Sequence, residues 1–338
     1  MSFAKPASHG ATGRDGTLRV GVIGAGVMGS NHGRVLAGLP NVELVGILDP
    51  LPEHRTRAID LIGCPTFANL DELLEKGLDA VTIAAPTHLH HEISLACIAR
   101  GIHVLVEKPI ASTVEEGREI VAAARAANVT LMVGHVERFN PAVAAVKQAI
   151  KGEDILSIAI TRVGPFPPRM SNVGVVIDLA VHDIDLIRWF TESDIIDVQP
   201  QLSSAVAERE DIALLQFRTA SGVLAHINTN WLTPFKARSV TVATRGKYVS
   251  GDLLTRQVTE CFGFQPDGSY SMRHLPVGHD EPLRAELIAF VDAVRSGAVP
   301  AVTGEEGVAS LEIATQCLET PAKPTANASR KGPRRVAG

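Results

Sequence analysis

Two short stretches of this chain carry residue types suited to chemistry on a hydroxyl group. In Val106-Glu107-Lys108-Pro109-Ile110 a charged pair stands directly before a proline, at the end of an apolar run. In GVVIDLAVHDIDLIRWF, residues 174–190, Asp178 and His182 lie four residues apart, with Asp185 three further on. At helical spacing these three share one face. The remainder is largely apolar, with Ile177, Leu179, Ala180, Val181, Ile184, Leu186 and Ile187, whereas a solvated helix carries a broader band of Lys and Glu. A mostly buried helix whose acidic-imidazole stripe lines a cleft is therefore expected. An imidazole has the near-neutral pKa that proton removal from an alcohol requires. Two rivals are a core histidine satisfied by Asp178, and a metal site built from Asp178, His182 and one of His88, His90 or His91. The metal reading is the weaker, because removing the proton of a hydroxyl needs only a base. No metal is expected.

The hydride acceptor has its own signature. Gly24-Ala25-Gly26-Val27-Met28-Gly29 matches G-x-G-x-x-G, follows an apolar strand, opens a helical pattern, and is followed by Asp49 at the end of the next strand. Gly24 permits the tight turn, Gly26 lets the backbone approach a pyrophosphate, and Gly29 lets helix and strand pack closely. The helix amides, including those of Val27 and Met28, then face the phosphates. Asp49 accepts from the adenosine ribose and repels a 2′-phosphate, and Pro50 and Leu51 after it offer no cation, which favours NAD over NADP. In an open parallel sheet ligands bind beyond the carboxyl ends of the strands. That places Pro86, Thr87 and His90, after AVTIAA, and Glu107 with Lys108, after HVLV, on the wall of the same crevice.

These positions require a particular scaffold. Apolar strand patterns at LRVGVI, VELVGIL, AVTIAA, HVLVE and TLMVGH alternate with helical segments, one of them opened by Thr113 and Glu116 at capping-box spacing. Such a pattern predicts an α/β, doubly wound Rossmann domain with a parallel sheet covered on both faces, over residues 17–137. Beyond Pro141 the strands ILSIAITRV, IALLQFRT, VLAHINTNW, RSVTVATR and KYVSGD arrive without intervening helices. They predict an α+β domain with a large, open, mainly antiparallel sheet over residues 138–320. Residues 1–16 and 321–338 read as disordered tails. A chain of 338 residues, 45% hydrophobic, suits two domains. Its net charge of −5 and 4% aromatic content argue against nucleic acid as a partner. The four cysteines form no C-x-x-C pair, the N-terminus lacks the apolar segment of a signal peptide, and no apolar run is long enough to span a membrane. A soluble cytoplasmic protein acting on a small molecule is expected.

The glycine turn, the EKP triplet and the Asp-x-x-x-His of the second half together resemble the Gfo/Idh/MocA family of sugar dehydrogenases, over nearly all of residues 18–320. The resemblance implies that Lys108, Asp178 and His182 line the substrate site, that the Lys108–Pro109 bond is cis, and that the open sheet face packs against another subunit to give a dimer or tetramer. Ala180 stands where many relatives carry glycine. On this basis His182 is assigned as base, Asp178 as its orienter and Lys108 as electrostatic stabiliser of the alkoxide, with Lys108 as base the alternative. Within the family, GHVERFNP, RVGPFPPR and DLAVHDIDLIRW look most like the branch that oxidises the 3-hydroxyl of UDP-N-acetylglucosamine, whose keto product an aminotransferase aminates en route to diamino-sugar lipid A. A diphosphate would call for cations, and Arg138, Arg162 and Arg169, with Asn140 beside them, are the expected substrate contacts. The rival functions are oxidation of a free polyol or aldose, and ligand sensing without catalysis on the same fold.

Overall fold

The computed structural model describes residues 16–166 and 173–320. Residues 1–15 and 321–338, and Arg169, lie outside the described residues. The first sheet contains β1 (Leu18–Ile23), β2 (Val42–Leu48), β3 (Thr66–Phe67), β4 (Ala80–Ile83), β5 (His103–Glu107) and β6 (Leu131–Gly134), in the order β3-β2-β1-β4-β5-β6. Every pairing within it is parallel. Its central strands are almost wholly buried, which explains their unbroken apolar sequences. Around it run α1 (Val27–Ala37), α2 (Pro52–Ile62), α3 (Leu70–Leu74), α4 (His90–Ile98) and α5 (Val114–Ala127). The Thr113/Glu116 capping box is formed in both directions at the start of α5.

After α6 (Pro141–Ala149) comes the second sheet: β7 (Ile155–Pro165), β8 (Ile195–Ser203), β9 (Ile212–Thr219), β10 (Leu224–Asn230), β11 (Leu232–Thr244), β12 (Lys247–Asp252), β13 (Gln257–Phe262) and β14 (Ser271–Leu275). The order is β14-β13-β12-β11-β7-β10-β9-β8, antiparallel throughout except for the parallel pair β7 and β10. Between β7 and β8, a π-helical turn at Val176–Ala180 runs into α7 (Val181–Thr191). The strand pattern extends beyond the sequence expectation at β8, β13 and β14. Edge strands β8 and β14 were hard to read because one carries Pro200 and the other is almost entirely exposed. Alternate residues of β9 and β10 are buried, so one face packs inward while Leu214, Leu224 and Ile196 project from the other.

Two helices complete the chain, α8 (Pro282–Ser296) and α9 (Gly304–Glu319). Chain order groups them with the second half, yet Leu283, Leu287, Phe290 and Val291 of α8 belong to the core of the first sheet. Helix α9 is shared: Val308 and Leu311 enter the first core, while Ile313, Ala314 and Cys317 enter the second. Val133 N–H donates to Val302 O at the edge of β6. The cut at residue 137 therefore separates the sheets, but the chain returns to the first core from residue 282 onward. An apolar stripe on a late helix does not reveal which sheet it will cover.

Candidate active site

The glycine turn lies between β1 and α1. Gly24 has φ of +99°, and a Cβ there would meet Ala84 O at 2.5 Å. A Cβ on Gly29 would fall 1.8 Å from Gly24 O, so helix and turn approach as closely as the motif requires. Gly26 differs, since nothing lies within 4 Å of its Cβ position, and it is the N-cap of a helix that no side chain caps. Val27 and Met28 are exposed beside it. Open space over uncapped helix amides is what a pyrophosphate fits. Asp49, 6% exposed, accepts from Ala25 N–H at 2.8 Å and Leu51 N–H at 2.9 Å, with His54 Nδ1 at 3.1 Å. Its carboxylate is thus fixed at the end of β2, against the glycine turn. The strand end is less free of cations than Pro50 and Leu51 suggested, because the first turn of α2 brings Arg55 back to donate to the Asp49 and Pro50 carbonyl oxygens.

Pro86 and Thr87 follow β4 at the next strand end. His90, expected on the cofactor wall, is only 1% exposed, and its ring nitrogens lie 2.9 Å from Ala85 O and Pro109 O. Its contacts therefore tie the β4 end to the catalytic turn. Burial pushes its pKa down.

Lys108 follows the last residue of β5, and its bond to Pro109 is cis. Its Nζ crosses to the second domain, donating to Asp178 O at 2.7 Å and lying 3.4 Å from Asp178 Oδ1. Asp178 therefore orients Lys108; among the described residues no hydrogen bond joins it to His182. The π turn explains this, because Asp178 lies in a wider turn than the α-helical spacing to His182 assumes. His182 instead packs edge-to-face on His135, with ring centroids 6.1 Å apart and planes at 88°. Burial, then the positive charges of Lys108 and Arg162, holds its pKa well below the ordinary 6.5. The ring is neutral at neutral pH, as a proton acceptor must be.

The third member of the expected stripe, Asp185, is 1% exposed and receives Arg138 through Nε and Nη2, both at 2.7 Å. Arg138 Nη1 donates to Glu306 and to Ala301 O. Arg162 is 2% exposed, doubly bonded to Asp183, with Nη1 donating to Glu137 at 2.8 Å. Burial opposes its charge, but Asp183 and Glu137 outweigh it and raise the guanidinium above its ordinary 12.5. Asn140 caps α6, accepting from Ala142 N–H and donating to Leu253 O. Arg138, Arg162 and Asn140, expected to contact substrate, have their donors committed to buried carboxylates and backbone. They form a pedestal joining β7, α6, α7 and α9 beneath the site.

The residues that sequence reading missed come from distant segments. His135 follows β6, and Arg238 on β11, with its side chain 35% exposed, donates to Glu137 and lowers the pKa of His182 by its charge. Arg238 is thus a cation near the site that keeps partial access to solvent. His32 on α1 lies 3.0 Å from Glu107 Oε1, and the Glu107 side chain packs closely on Gly134, where a Cβ would meet it at 3.2 Å. No local motif marks any of these.

Residues 18–135 match the family model described as oxidoreductase family, NAD-binding Rossmann fold, and residues 118–249 match the GFO/IDH/MocA C-terminal domain. A UDP-N-acetylglucosamine 3-dehydrogenase of Acidithiobacillus ferrooxidans is 30% identical over 237 residues, covering 70% of this chain and 74% of that protein. Inositol 2-dehydrogenase 4 of Saccharopolyspora erythraea is 31% identical over 309 residues, covering 87% and 90%. A solved structure of UDP-N-acetylglucosamine 3-dehydrogenase from Acidithiobacillus ferrooxidans superposes with a TM-score of 0.83 at 27% identity, over 89% of this chain and 96% of that one. With an NAD-binding domain, a lysine at the end of its fifth strand and a second domain that answers it across the cleft, the chain belongs to the Gfo/Idh/MocA family of oxidoreductases.

Proposed function

We propose that this protein oxidises the 3-hydroxyl of UDP-N-acetylglucosamine to the 3-keto sugar nucleotide. NAD, when bound, supplies the hydride acceptor. His182 takes the hydroxyl proton as the alcohol becomes a ketone, and the carbinol hydrogen would leave with its electron pair to that acceptor. His182 is the base because its ring is neutral and lies with Lys108 where the two domains meet. Lys108 stabilises the charge that develops on oxygen, and Asp178 O and Oδ1 aim its ammonium. The bond from Lys108 to Asp178 carries the reading, because it closes a reactive cation from the cofactor domain onto the substrate domain. Gly24, Gly26 and Gly29, the Val27 and Met28 amides, and Asp49 hold the cofactor, with Pro86 and Thr87 beside it.

The sugar nucleotide is supported by the likeness to UDP-N-acetylglucosamine 3-dehydrogenase in sequence and in fold. A free polyol is the second reading. It is favoured by the commitment of Arg138 and Arg162 to carboxylates, and by inositol 2-dehydrogenases that match 87 to 90% of the chain. In the first reading the keto product passes to an aminotransferase, within diamino-sugar lipid A synthesis. The unpartnered outer face of the second sheet, with Leu214, Leu224, Ile196 and Met272 all about half exposed or more, is read as the interface of a homo-oligomer. No described helix is long and apolar enough to cross a membrane. The test supplies NAD with UDP-N-acetylglucosamine, myo-inositol or glucose, plus an amino donor and aminotransferase to remove the ketone, and follows NADH. Oxidation of the UDP-sugar supports the assignment; efficient oxidation of inositol or glucose alone replaces it with the second reading.

A further inference from the structure

Directly behind the catalytic turn lies a cluster that the reaction does not use. His32 of α1, Glu107 of β5 and Glu286 of α8 bring one ligating atom each to within 4.8 Å of one another. His32 and Glu286 are fully buried, and Glu107 is 8% exposed. His32 Nε2 and Glu107 Oε1 are 3.0 Å apart, and Glu107 Oε2 accepts from Lys108 N–H at 3.3 Å. Neither carboxyl oxygen of Glu286 has a hydrogen-bond partner among the described residues. The position is anomalous for its helix, since Glu286 sits on the buried stripe of Leu283, Leu287 and Phe290, where an apolar side chain would cost nothing to bury.

We propose that Glu286 is a positioning residue: it keeps its proton, leaves Glu107 as the ionised member of the cluster, and so holds the turn that carries Lys108. Two carboxylates this close and out of water do not both ionise, and the pair retains one proton. Glu107 is the ionised member. It has His32 beside it and Lys108 next in sequence, and these hold its carboxyl below the usual range against the burial that would raise it. Glu286 has no cation of its own, and burial followed by the charge of Glu107 raises its carboxyl well above the usual range. The titratable and charged groups around the pair are His32 from α1, His90 from α4, Glu107 and Lys108 from the end of β5, and His135 after β6. Keeping Glu286 neutral matters for Lys108. A second negative charge behind the turn would draw the ammonium away from Asp178 and the cleft, whereas a neutral acid leaves it facing substrate.

The proposal deepens the reading of Lys108 as the substrate-side cation, and its test separates the two. Infrared difference spectra of the full chain at neutral pH, wild type minus Glu286→Gln, should show the carbonyl band of a protonated carboxyl that shifts in heavy water. Glu286→Ala should lower kcat by about tenfold or more with the NAD dissociation constant unchanged, and Glu286→Gln, neutral and of the same shape, should recover to within about threefold of wild type. Absence of the protonated band overturns the proposal, as does a Gln variant no more active than the Ala variant. One equivalent of metal in the wild type that is lost from Glu286→Gln would also overturn it, assigning the cluster to a cation instead. Should Glu286→Ala fail to fold, the band and the turnover of the isosteric Gln variant still decide. If no alcohol is oxidised by the wild type, the reading of the active site fails, while the infrared band continues to report on Glu286.

Discussion

Lys108 Nζ donates to Asp178 O at 2.7 Å, across 70 residues of sequence and from one sheet's domain to the other's. The amine is held through a backbone acceptor, which no side-chain substitution at 178 removes. Asp178→Ala should accordingly be milder than Lys108→Ala. We expect a loss in kcat of about tenfold for Asp178→Ala against about a hundredfold or more for Lys108→Ala, measured as NADH formation at saturating substrate. An Asp178 variant as inactive as the Lys108 variant would show that its carboxylate, and not its carbonyl, does the positioning.

Arg162 and Arg138 should report on stability. Each sits in a buried carboxylate network, and removing one member of such a pair strands the others, at a cost of about 3–5 kcal/mol. Chemical denaturation of Arg162→Ala should show a loss of that order, with the substrate KM of whatever folded protein remains close to wild type. An unchanged midpoint with a large rise in KM would return Arg162 to the substrate site.

Sequence showed one half of the site well and the other poorly, for a physical reason. The glycine turn, Asp49 and Lys108 are fixed by their place at strand ends, so local pattern locates them. The partners of Arg138, Arg162 and Asn140, namely Asp185, Asp183, Glu306 and Leu253 O, were not legible because only the fold brings them together. An arginine on a proline-rich stretch looks free until the acid beside it is known. The Asp178/His182 pairing failed differently, through a π turn that hydrophobic periodicity does not register. Glu286 was invisible because a carboxyl on an apolar stripe carries no motif. The parallel sheet was legible throughout, whereas edge strands β8 and β14 were not, since exposed or proline-bearing edges lose the alternation that identifies a strand.

Cofactor choice follows from Asp49. A fixed carboxylate at the ribose end accepts hydroxyl donors and repels a phosphate. Titration of the apoprotein should show NAD binding more tightly than NADP, and Asp49→Ala should narrow the gap by removing the carboxylate that repels the added phosphate. NADP binding more tightly than NAD to the wild type would contradict this.

The pH dependence has a defined sign. The folded protein holds His182 well below 6.5, because burial, Lys108 and Arg162 all oppose its protonated form. The base is therefore in its active, neutral form at pH 6.5 and above, and is lost only as pH falls through its depressed value. The low-pH limb of kcat/KM assigned to this ring should lie below 6.5, and weakening the nearby positive charge with Arg238→Gln should move it upward. A limb at or above 6.5 that Arg238→Gln leaves in place would remove His182 from the role of base.

The most direct measurement of the central claim is single-turnover NADH formation by wild type, Lys108→Ala and His182→Ala, each saturated with NAD and with whichever alcohol the wild type oxidises. Both variants should bind NAD as the wild type does, since neither residue touches the glycine turn, and both should transfer hydride about a hundred- to ten-thousand-fold more slowly. Either variant transferring hydride at a rate close to wild type would contradict the assignment of the chemistry to these two residues.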